Sequence, residues 1–272
     1  MNNNQFNIAE KVVVLTGGSG VLGGSMAKYL LLQGVKVAIV GYTPKKVEAK
    51  IAMLKKVSSN IMGFSGNVLD QEFLRKVKAA VVEKWQKIDV LINAAGGNMP
   101  GATIGEDETI FDLDMEDFRR VSELNLDGSV RPAVVFGRQM ANQGHGCIIN
   151  ISSMTATQAV SRVVGYSASK SAIDNFTRWM ATELARKLGD KIRVNAIAPG
   201  FFIGSQNKAL LLNADGSFTE RAETIIAKTP MKRFGEANEL NGAVHWLISD
   251  AASFVTGAII PIDGGFSAFS GV

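Results

Sequence analysis

Short apolar runs alternate with longer amphipathic segments along the whole chain. The apolar runs have the length and β-branched content of buried strands, at 11–16, 35–40, 60–65, 88–92, 146–151, 192–197 and 258–262. The intervening segments have helical spacing, at 21–33, 44–57, 70–86, 115–141, 165–188 and 239–249. Asp70 is placed to cap the third predicted helix, and interruptions of the fourth are expected around Gly128 and Pro132.

This alternation predicts how the strands are connected. Repeated strand–helix units of this length force parallel strands with right-handed crossovers. The pattern therefore predicts a single α/β domain spanning 1–272, with about seven mostly parallel strands in a doubly wound, three-layer αβα arrangement. Residues 201–229 interrupt the rhythm near the ligand-binding edge of such a sheet, and we predict that they form a substrate lid.

Two glycine-containing turns follow predicted strands. The first, Thr16 to Gly24, reads TGGSGVLGG; glycines there let a pyrophosphate approach the backbone at a helix N-terminus. The second, Asn93 to Gly97, ends the fourth strand at the same edge. Either turn alone is compatible with a simple tight turn. Together, in an α/β chain, they indicate a Rossmann-type dinucleotide-binding sheet.

A serine, a tyrosine and a lysine form the candidate proton-transfer group. Ser153 follows the fifth strand, and Tyr166 and Lys170 lie one helical turn apart. An ammonium at this spacing favours the phenolate, so we expect it to lower the pKa of Tyr166 and to permit acid–base chemistry near neutral pH. The alternative is an ordinary amphipathic helix surface, on which Tyr-x-x-x-Lys is common.

Composition and charge narrow the class of protein. The chain of 272 residues is 46% hydrophobic with a net charge of +4 and no long basic block, which disfavours nucleic-acid binding. No run of about 18 apolar residues or secretory leader is present, so no membrane association is expected. The lone Cys147 indicates a reducing, cytoplasmic setting. His145 and His245 lack a second ligand at metal spacing, so we predict no metal.

The motifs in this order resemble the single-domain short-chain dehydrogenases/reductases over essentially the whole chain. The shared phrases are TGGSGVLG, NAAG, ELNLDG, YSASK, RVNAIAPG and IDGG. The resemblance implies that Tyr166 is the acid/base, that Ser153 orients the substrate oxygen, and that Lys170 binds the nicotinamide ribose while tuning the tyrosine. It also implies that Asn125 supports a water-linked proton relay and that the chain forms a homotetramer.

The cofactor-binding residues predicted with this resemblance surround the carboxyl ends of the strands. They are Gly17, Ser19, Gly20, Val21, Leu22, Gly23, Tyr42, Thr43, Asn67, Val68, Asn93, Ala94, Ala95, Gly96, Tyr166, Lys170, Pro199, Gly200 and Ile203. The cofactor is NAD or NADP. No carboxylate follows the second strand to hold a ribose 2′-hydroxyl, whereas Thr43, Lys45 and Lys46 can contact a 2′-phosphate, so NADP is favoured. The alternative is that both lysines are a solvated helix start.

Several longer phrases narrow the resemblance further. NAAGGN, APGFFIGSQN, LLNADGSFTERA and the ending DGGFSAFSGV are similar to the D-mannonate oxidoreductases, or D-fructuronate reductases, of the short-chain type. This resemblance implies reversible reduction of a hexuronate ketone. Alternatives are a reductase of another sugar acid, a polyol or a 3-oxoacyl thioester, or a non-catalytic dinucleotide-sensing protein. The presence of Ser153, Tyr166 and Lys170 argues against the last.

A sugar-acid substrate needs a partner for its carboxylate. A guanidinium binds a carboxylate bidentately, and ammonium or amide groups can also contribute. The candidates are Arg162 in the loop before Tyr166, Lys208 and Arg221 in the predicted lid, and the polar Asn98 and Asn207. For each cation the alternative is a solvated surface charge.

Overall fold

The apolar runs form one parallel sheet. The structure is a computed structural model that describes residues 4–204 and 207–271. Its strands are β1 Val12–Thr16, β2 Lys36–Gly41, β3 Ile61–Ser65, β4 Val90–Asn93, β5 Gly146–Ile151, β6 Ile192–Pro199 and β7 Ile259–Ile262. Their order is β3-β2-β1-β4-β5-β6-β7, and every neighbouring pair is parallel. The predicted Rossmann-type sheet is confirmed, and its winding reverses between β1 and β4, where such folds bind ligands.

Helices cover both faces of this sheet. They are α1 Val21–Leu32, α2 Pro44–Leu54, α3 Gln71–Trp85, α4 Met115–Ser122, α5 Gly128–Gln143, α6 Val164–Leu188, α7 Lys208–Leu211, α8 Glu220–Lys228 and α9 Asn241–Ile248. Side chains of α1, α2 and α9 pack in one buried cluster, and those of α3, α5 and α6 pack in the other. The three layers follow from this division.

Two local predictions have different outcomes. Asp70 caps α3 as expected, because its carboxylate accepts hydrogen bonds from the amides of Glu72 and Phe73. The expected interruption around Gly128 is found, because a wide π-type turn over Glu123–Asp127 ends directly before it and α5 begins there. The expected interruption at Pro132 is wrong, because Pro132 lies inside α5.

The predicted lid contains two short helices rather than a plain loop. Between β6 and α9, the helices α7 and α8 pack on a small apolar cluster of their own, formed by Phe201, Ile203, Leu211, Ala222, Ile225 and Phe234. Positions 205 and 206 of the predicted lid lie outside the described residues. No helix in the described ranges is long and apolar enough to cross a membrane.

Candidate active site

The first glycine turn is built against the end of β4. Gly17 has a left-handed φ of +69°, and a Cβ added there would lie 2.4 Å from the carbonyl oxygen of Ala94. The Thr16 hydroxyl accepts hydrogen bonds of 3.1 Å from the amides of Ala94 and Ala95, so the two turns are tied together. No side chain caps α1 at Gly20, which leaves its N-terminal amides for a ligand. This backbone fits a dinucleotide pyrophosphate.

The other predicted cofactor residues follow strands at the same edge. Tyr42 and Thr43 follow β2, and Lys45 and Lys46 are exposed in the first turn of α2. The exposed Asn67 follows β3, and its side-chain oxygen accepts a hydrogen bond from the amide of Leu69. The buried Val68 lies next to Asn67. Pro199 ends β6, and Gly200 and the lid residue Ile203 follow it.

Asn125 is fully buried in the wide turn that precedes α5. Its side-chain nitrogen donates to the carbonyls of Gly97 at 2.7 Å and Val121 at 2.8 Å, and its oxygen accepts from the Gly97 amide at 3.1 Å. A Cβ added at Gly96 would lie 2.6 Å from Asn125 Oδ1 and 3.5 Å from Lys170 Nζ. Asn125 and Lys170 therefore both approach the same face of this glycine.

Ser153, Tyr166 and Lys170 come together where β5 and α6 meet. A hydrogen bond joins the side chains of Ser153 and Tyr166. The Lys170 ammonium lies 5.4 Å from the centroid of the Tyr166 ring and donates to the Ile151 carbonyl at 2.7 Å. The strand that presents Ser153 therefore also fixes the lysine.

The protonation of these groups departs from the sequence-based expectation. Burial raises the pKa of Tyr166 above its usual value, and the hydrogen bond with Ser153 only partly offsets this. The expected lowering of this pKa by Lys170 is therefore wrong, because desolvation of the phenolate dominates. Burial also lowers the pKa of Lys170 to about 8, against the opposing charge of Asp174.

Asp174 is a buried carboxylate that the sequence interpretation missed. It lies one turn after Lys170 and is only 3% exposed. The Ser152 hydroxyl donates a hydrogen bond to it, and burial raises the pKa of its carboxyl group. An acidic residue four positions after a lysine on the buried face of α6 was the available signal.

A chain of buried amides supports the site from below. Asn93 and Asn150 are paired across β4 and β5, and the Asn93 side-chain nitrogen donates to Asn150 Oδ1 at 2.9 Å. Asn150 donates in turn to the Thr177 hydroxyl on α6 at 2.9 Å. Asn93 also donates to the Ser129 carbonyl at 3.2 Å. These contacts join both strands to α5, which follows the turn that contains Asn125, and to α6, which carries Tyr166.

The candidate substrate residues lie in the loops and the predicted lid at the carboxyl edge of the sheet. Arg162 lies close enough to Arg221 for its positive charge to contribute to lowering the pKa of Arg221. The Asn98 side-chain nitrogen bonds the Thr103 hydroxyl at 2.7 Å. Asn207 bonds the Gly204 amide at 2.7 Å and the Phe202 carbonyl at 2.9 Å, which holds the lid backbone. Lys208 is exposed at the start of α7.

The two histidines lie in structural contacts. His145 Nε2 is 3.0 Å from the Asp89 carboxylate, while His245 contacts the Tyr29 hydroxyl and the Phe6 carbonyl. Over residues 4–204 and 207–271, no group of three or more His, Cys, Asp or Glu side chains is arranged to hold a metal.

The site is that of an NAD(P)-dependent oxidoreductase that acts on alcohols and ketones. Three features define this class: the parallel sheet, the uncapped N-terminus of α1 at the switch point of that sheet, and the group of Ser153, Tyr166 and Lys170. The chain belongs to the short-chain dehydrogenase/reductase family. A family model described as enoyl-(acyl carrier protein) reductase matches residues 19–267.

Relatives match this chain over nearly its whole length. The uncharacterized oxidoreductase UxuB of Bacillus subtilis is 42% identical over 98% of both chains. The 2-dehydro-3-deoxy-D-gluconate 5-dehydrogenase of Formosa agariphila is 31% identical over 98% of this chain and 96% of its own. A crystal structure from Haemophilus influenza with bound NAD, provisionally assigned as a D-mannonate oxidoreductase, is 38% identical. It covers 99% of this chain and 100% of its own, with a TM-score of 0.90.

Proposed function

We propose that the protein reversibly reduces the ketone of D-fructuronate to the secondary alcohol of D-mannonate. The observation that carries the proposal is the meeting of Ser153, Tyr166 and Lys170 at the end of β5, beside a turn that fits a dinucleotide. When bound, the nicotinamide supplies a hydride to the carbonyl carbon. The carbonyl oxygen then takes one proton, which completes the alcohol.

In this proposal Tyr166 donates that proton. Its raised pKa keeps the phenol protonated at neutral pH, so the group is ready to act as an acid. The Ser153 hydroxyl bonds the substrate oxygen and orients it toward the phenol. In the oxidative direction the same tyrosine accepts the proton, assisted by the Lys170 ammonium beside its ring.

Lys170 has a second proposed role in holding the nicotinamide ribose. Its ammonium is fixed by the Ile151 carbonyl and lies 3.5 Å from the position that a Cβ would take at Gly96, which Asn125 also approaches. Asn125 keeps the backbone after Gly96 in place through its contacts with Gly97. We assign the proton relay expected in this family to the path past Asn125 and Lys170.

Two relatives support a sugar-acid substrate. The similar Haemophilus structure is provisionally assigned to D-mannonate, and the Formosa relative acts on another sugar acid. The long phrases of the lid and C-terminus resemble the same group. The closeness of Arg162 and Arg221 provides cationic groups for an acid.

Both nicotinamide cofactors are used by related proteins, NAD in the Haemophilus structure and NADPH in a polyketide ketoreductase of the same fold. We propose that this chain accepts NADPH in preference to NADH, because exposed Lys45 and Lys46 follow β2 where a carboxylate would repel the 2′-phosphate. We further propose a cytoplasmic homotetramer, on the strength of the lone cysteine and of the family resemblance.

A substrate panel tests the proposal. The purified protein is assayed with D-fructuronate, other keto sugar acids, neutral ketoses and a 3-oxoacyl thioester, each with NADH and NADPH, by absorbance of the reduced nicotinamide. We expect the highest kcat/KM for D-fructuronate. Higher kcat/KM for the thioester or for a neutral ketose would reject the substrate assignment and leave the family assignment intact.

A further inference from the structure

Three loops at the carboxyl edge of the sheet meet at Arg162. Its carbonyl accepts from the Ile104 amide at 3.0 Å, and its Nε donates to the Ile104 carbonyl at 2.9 Å, which joins the loop after β4 to the loop after β5. Arg221 of α8 donates to the hydroxyl and the carbonyl of Ser161, each at 3.4 Å. The predicted lid therefore reaches the loop that leads to Tyr166 through a guanidinium.

The charges at this junction do not cancel. Within residues 4–204 and 207–271, Arg162 and Arg221 face one carboxylate, that of Glu106, which lies 3.3 Å from Arg162 and has a side chain that is 85% exposed. Burial lowers the pKa of Arg221, and the positive charge of Arg162 lowers it further. A second anion at the junction would relieve this repulsion.

Arg162 also retains hydrogen-bonding capacity and an unusual backbone. A guanidinium has five N–H donors, and within the described part of the chain the contacts with Ile104 and Glu106 use two. Its φ of +78° is left-handed, a conformation that costs a non-glycine residue free energy and is retained most often at functional sites. A purely structural link between loops needs neither feature.

We propose that Arg162 and Arg221 together bind the carboxylate of a sugar-acid substrate, and that Glu106 occupies Arg162 until that carboxylate displaces it. This inference rests on the proposed function and specifies how the charged end of the substrate is recognised. Because the ion pair with Glu106 is exposed, displacing it costs little. The bound carboxylate also links the lid to the catalytic loop.

The distances permit simultaneous contact with the reacting ketone. Arg162 and Tyr166 are four positions apart, so their Cα atoms are at most about 14 Å apart at ~3.5 Å per residue. In D-fructuronate four bonds of ~1.5 Å join the ketone carbon to the carboxylate carbon, and because the carbon chain zigzags its ends are at most roughly 5 Å apart. The side chains of Arg162 and Tyr166, which approach the substrate from its two ends, can cover the rest of the distance between their Cα atoms.

Kinetics of matched variants test the charge. Arg221→Gln removes one guanidinium without touching the left-handed residue, and Lys228→Gln removes an exposed charge from the same helix as a control. We expect Arg221→Gln to lower kcat/KM for D-fructuronate by roughly 10- to 150-fold and to leave D-fructose unaffected. Glu106→Gln should lower the KM for D-fructuronate about 1.5- to 5-fold. Equal losses on both sugars would overturn the proposal.

Equilibrium binding separates this inference from the proposed reaction. With NADH bound, D-mannonate cannot be oxidised, so calorimetry of D-mannonate and neutral D-mannitol measures recognition of the carboxylate alone. We expect tighter binding of D-mannonate by the wild type and loss of that preference in Arg221→Gln and Arg162→Lys. Preference for the acid without turnover of D-fructuronate would reject the reaction and keep the carboxylate site. A wild type that shows no preference would overturn the site.

Discussion

The Lys170 ammonium donates a 2.7 Å hydrogen bond to the carbonyl of Ile151, the last residue of β5. The lysine is only 4% exposed, so a strand end supplies much of the solvation that water would otherwise provide. Its position beside Tyr166 is consequently set by the sheet before any cofactor binds. The same burial makes the protonation of Lys170 dependent on folding.

The stability contribution of Lys170 should change with pH. Its pKa falls from 10.5 to about 8 on folding, so between these values the unfolded chain binds a proton that the folded chain does not. Stability relative to Lys170→Met should therefore rise by about 2 kcal/mol between pH 7.5 and pH 10, since each pH unit contributes at most ~1.36 kcal/mol and the full effect extends beyond both ends of this interval. Urea unfolding of both proteins at pH 7.5 and pH 10 measures the difference between their free energies of unfolding. A difference that is the same at both pH values would contradict the prediction.

Removing the Tyr166 hydroxyl should abolish proton transfer and spare cofactor binding. We expect Tyr166→Phe to lower kcat by ~10²-fold or more, because general acid–base catalysis contributes at least this much. NADH affinity, followed by fluorescence titration, should stay within about twofold, since the phenyl ring that packs beside Lys170 remains. Tyr29→Phe, on α1 beside His245, is the matched control. Near-normal turnover in Tyr166→Phe would remove the acid/base assignment.

A methyl group at Gly17 should damage both stability and cofactor binding. Gly17→Ala forces a left-handed alanine, at a cost of about 1–3 kcal/mol, and places Cβ 2.4 Å from the Ala94 carbonyl oxygen. Gly144→Ala is the matched control, because Gly144 has φ of +80° with open space around it. We expect both variants to lower the free energy of unfolding, and Gly17→Ala alone to weaken NADH binding. Equal NADH affinity in the two would show that the turn does not approach the cofactor.

The lysines after β2 should discriminate between the two nicotinamide cofactors. Replacing Lys45 and Lys46 by alanine should lower kcat/KM for NADPH by roughly 10-fold or more, because each charge-assisted contact with the 2′-phosphate contributes about 1.5–3 kcal/mol. The value for NADH should be unchanged. Steady-state kinetics with both cofactors measure this, and parallel losses would mean that the lysines serve α2 rather than the phosphate.

Strongly periodic segments were predictable from the sequence. β5 was expected at 146–151 and is found there, and α6 begins one residue before its expected start at 165. Both have a hydrophobic pattern that local spacing reveals without knowledge of the fold. The wide turn at Glu123–Asp127 has no such signal, because it differs from an α-helix only in its hydrogen bonding.

The candidate site was predictable only where one segment carries it. Tyr166 and Lys170 lie on one helix, so their spacing indicated their proximity. The pairing of Ser152 with Asp174 and the approach of Arg221 to Arg162 join distant positions, which periodicity does not encode. The raised pKa of Tyr166 depends on how much water the folded chain excludes, and no local pattern reports that.

The hydrogen-bonded side-chain amides of Asn93 and Asn150 help to select one register between β4 and β5 during folding. β4 and β5 consist largely of interchangeable aliphatic residues, so a slipped pairing would bury nearly as much apolar surface. Only the native alignment joins the two amides and lets Asn150 donate to Thr177. Any other alignment would leave these amides buried without hydrogen-bond partners, at a cost of about 1–3 kcal/mol each. Substituting leucine at both positions should therefore preserve the sheet but allow β4 and β5 to pair in more than one register. Ser153 would then no longer have one fixed position relative to Asn125.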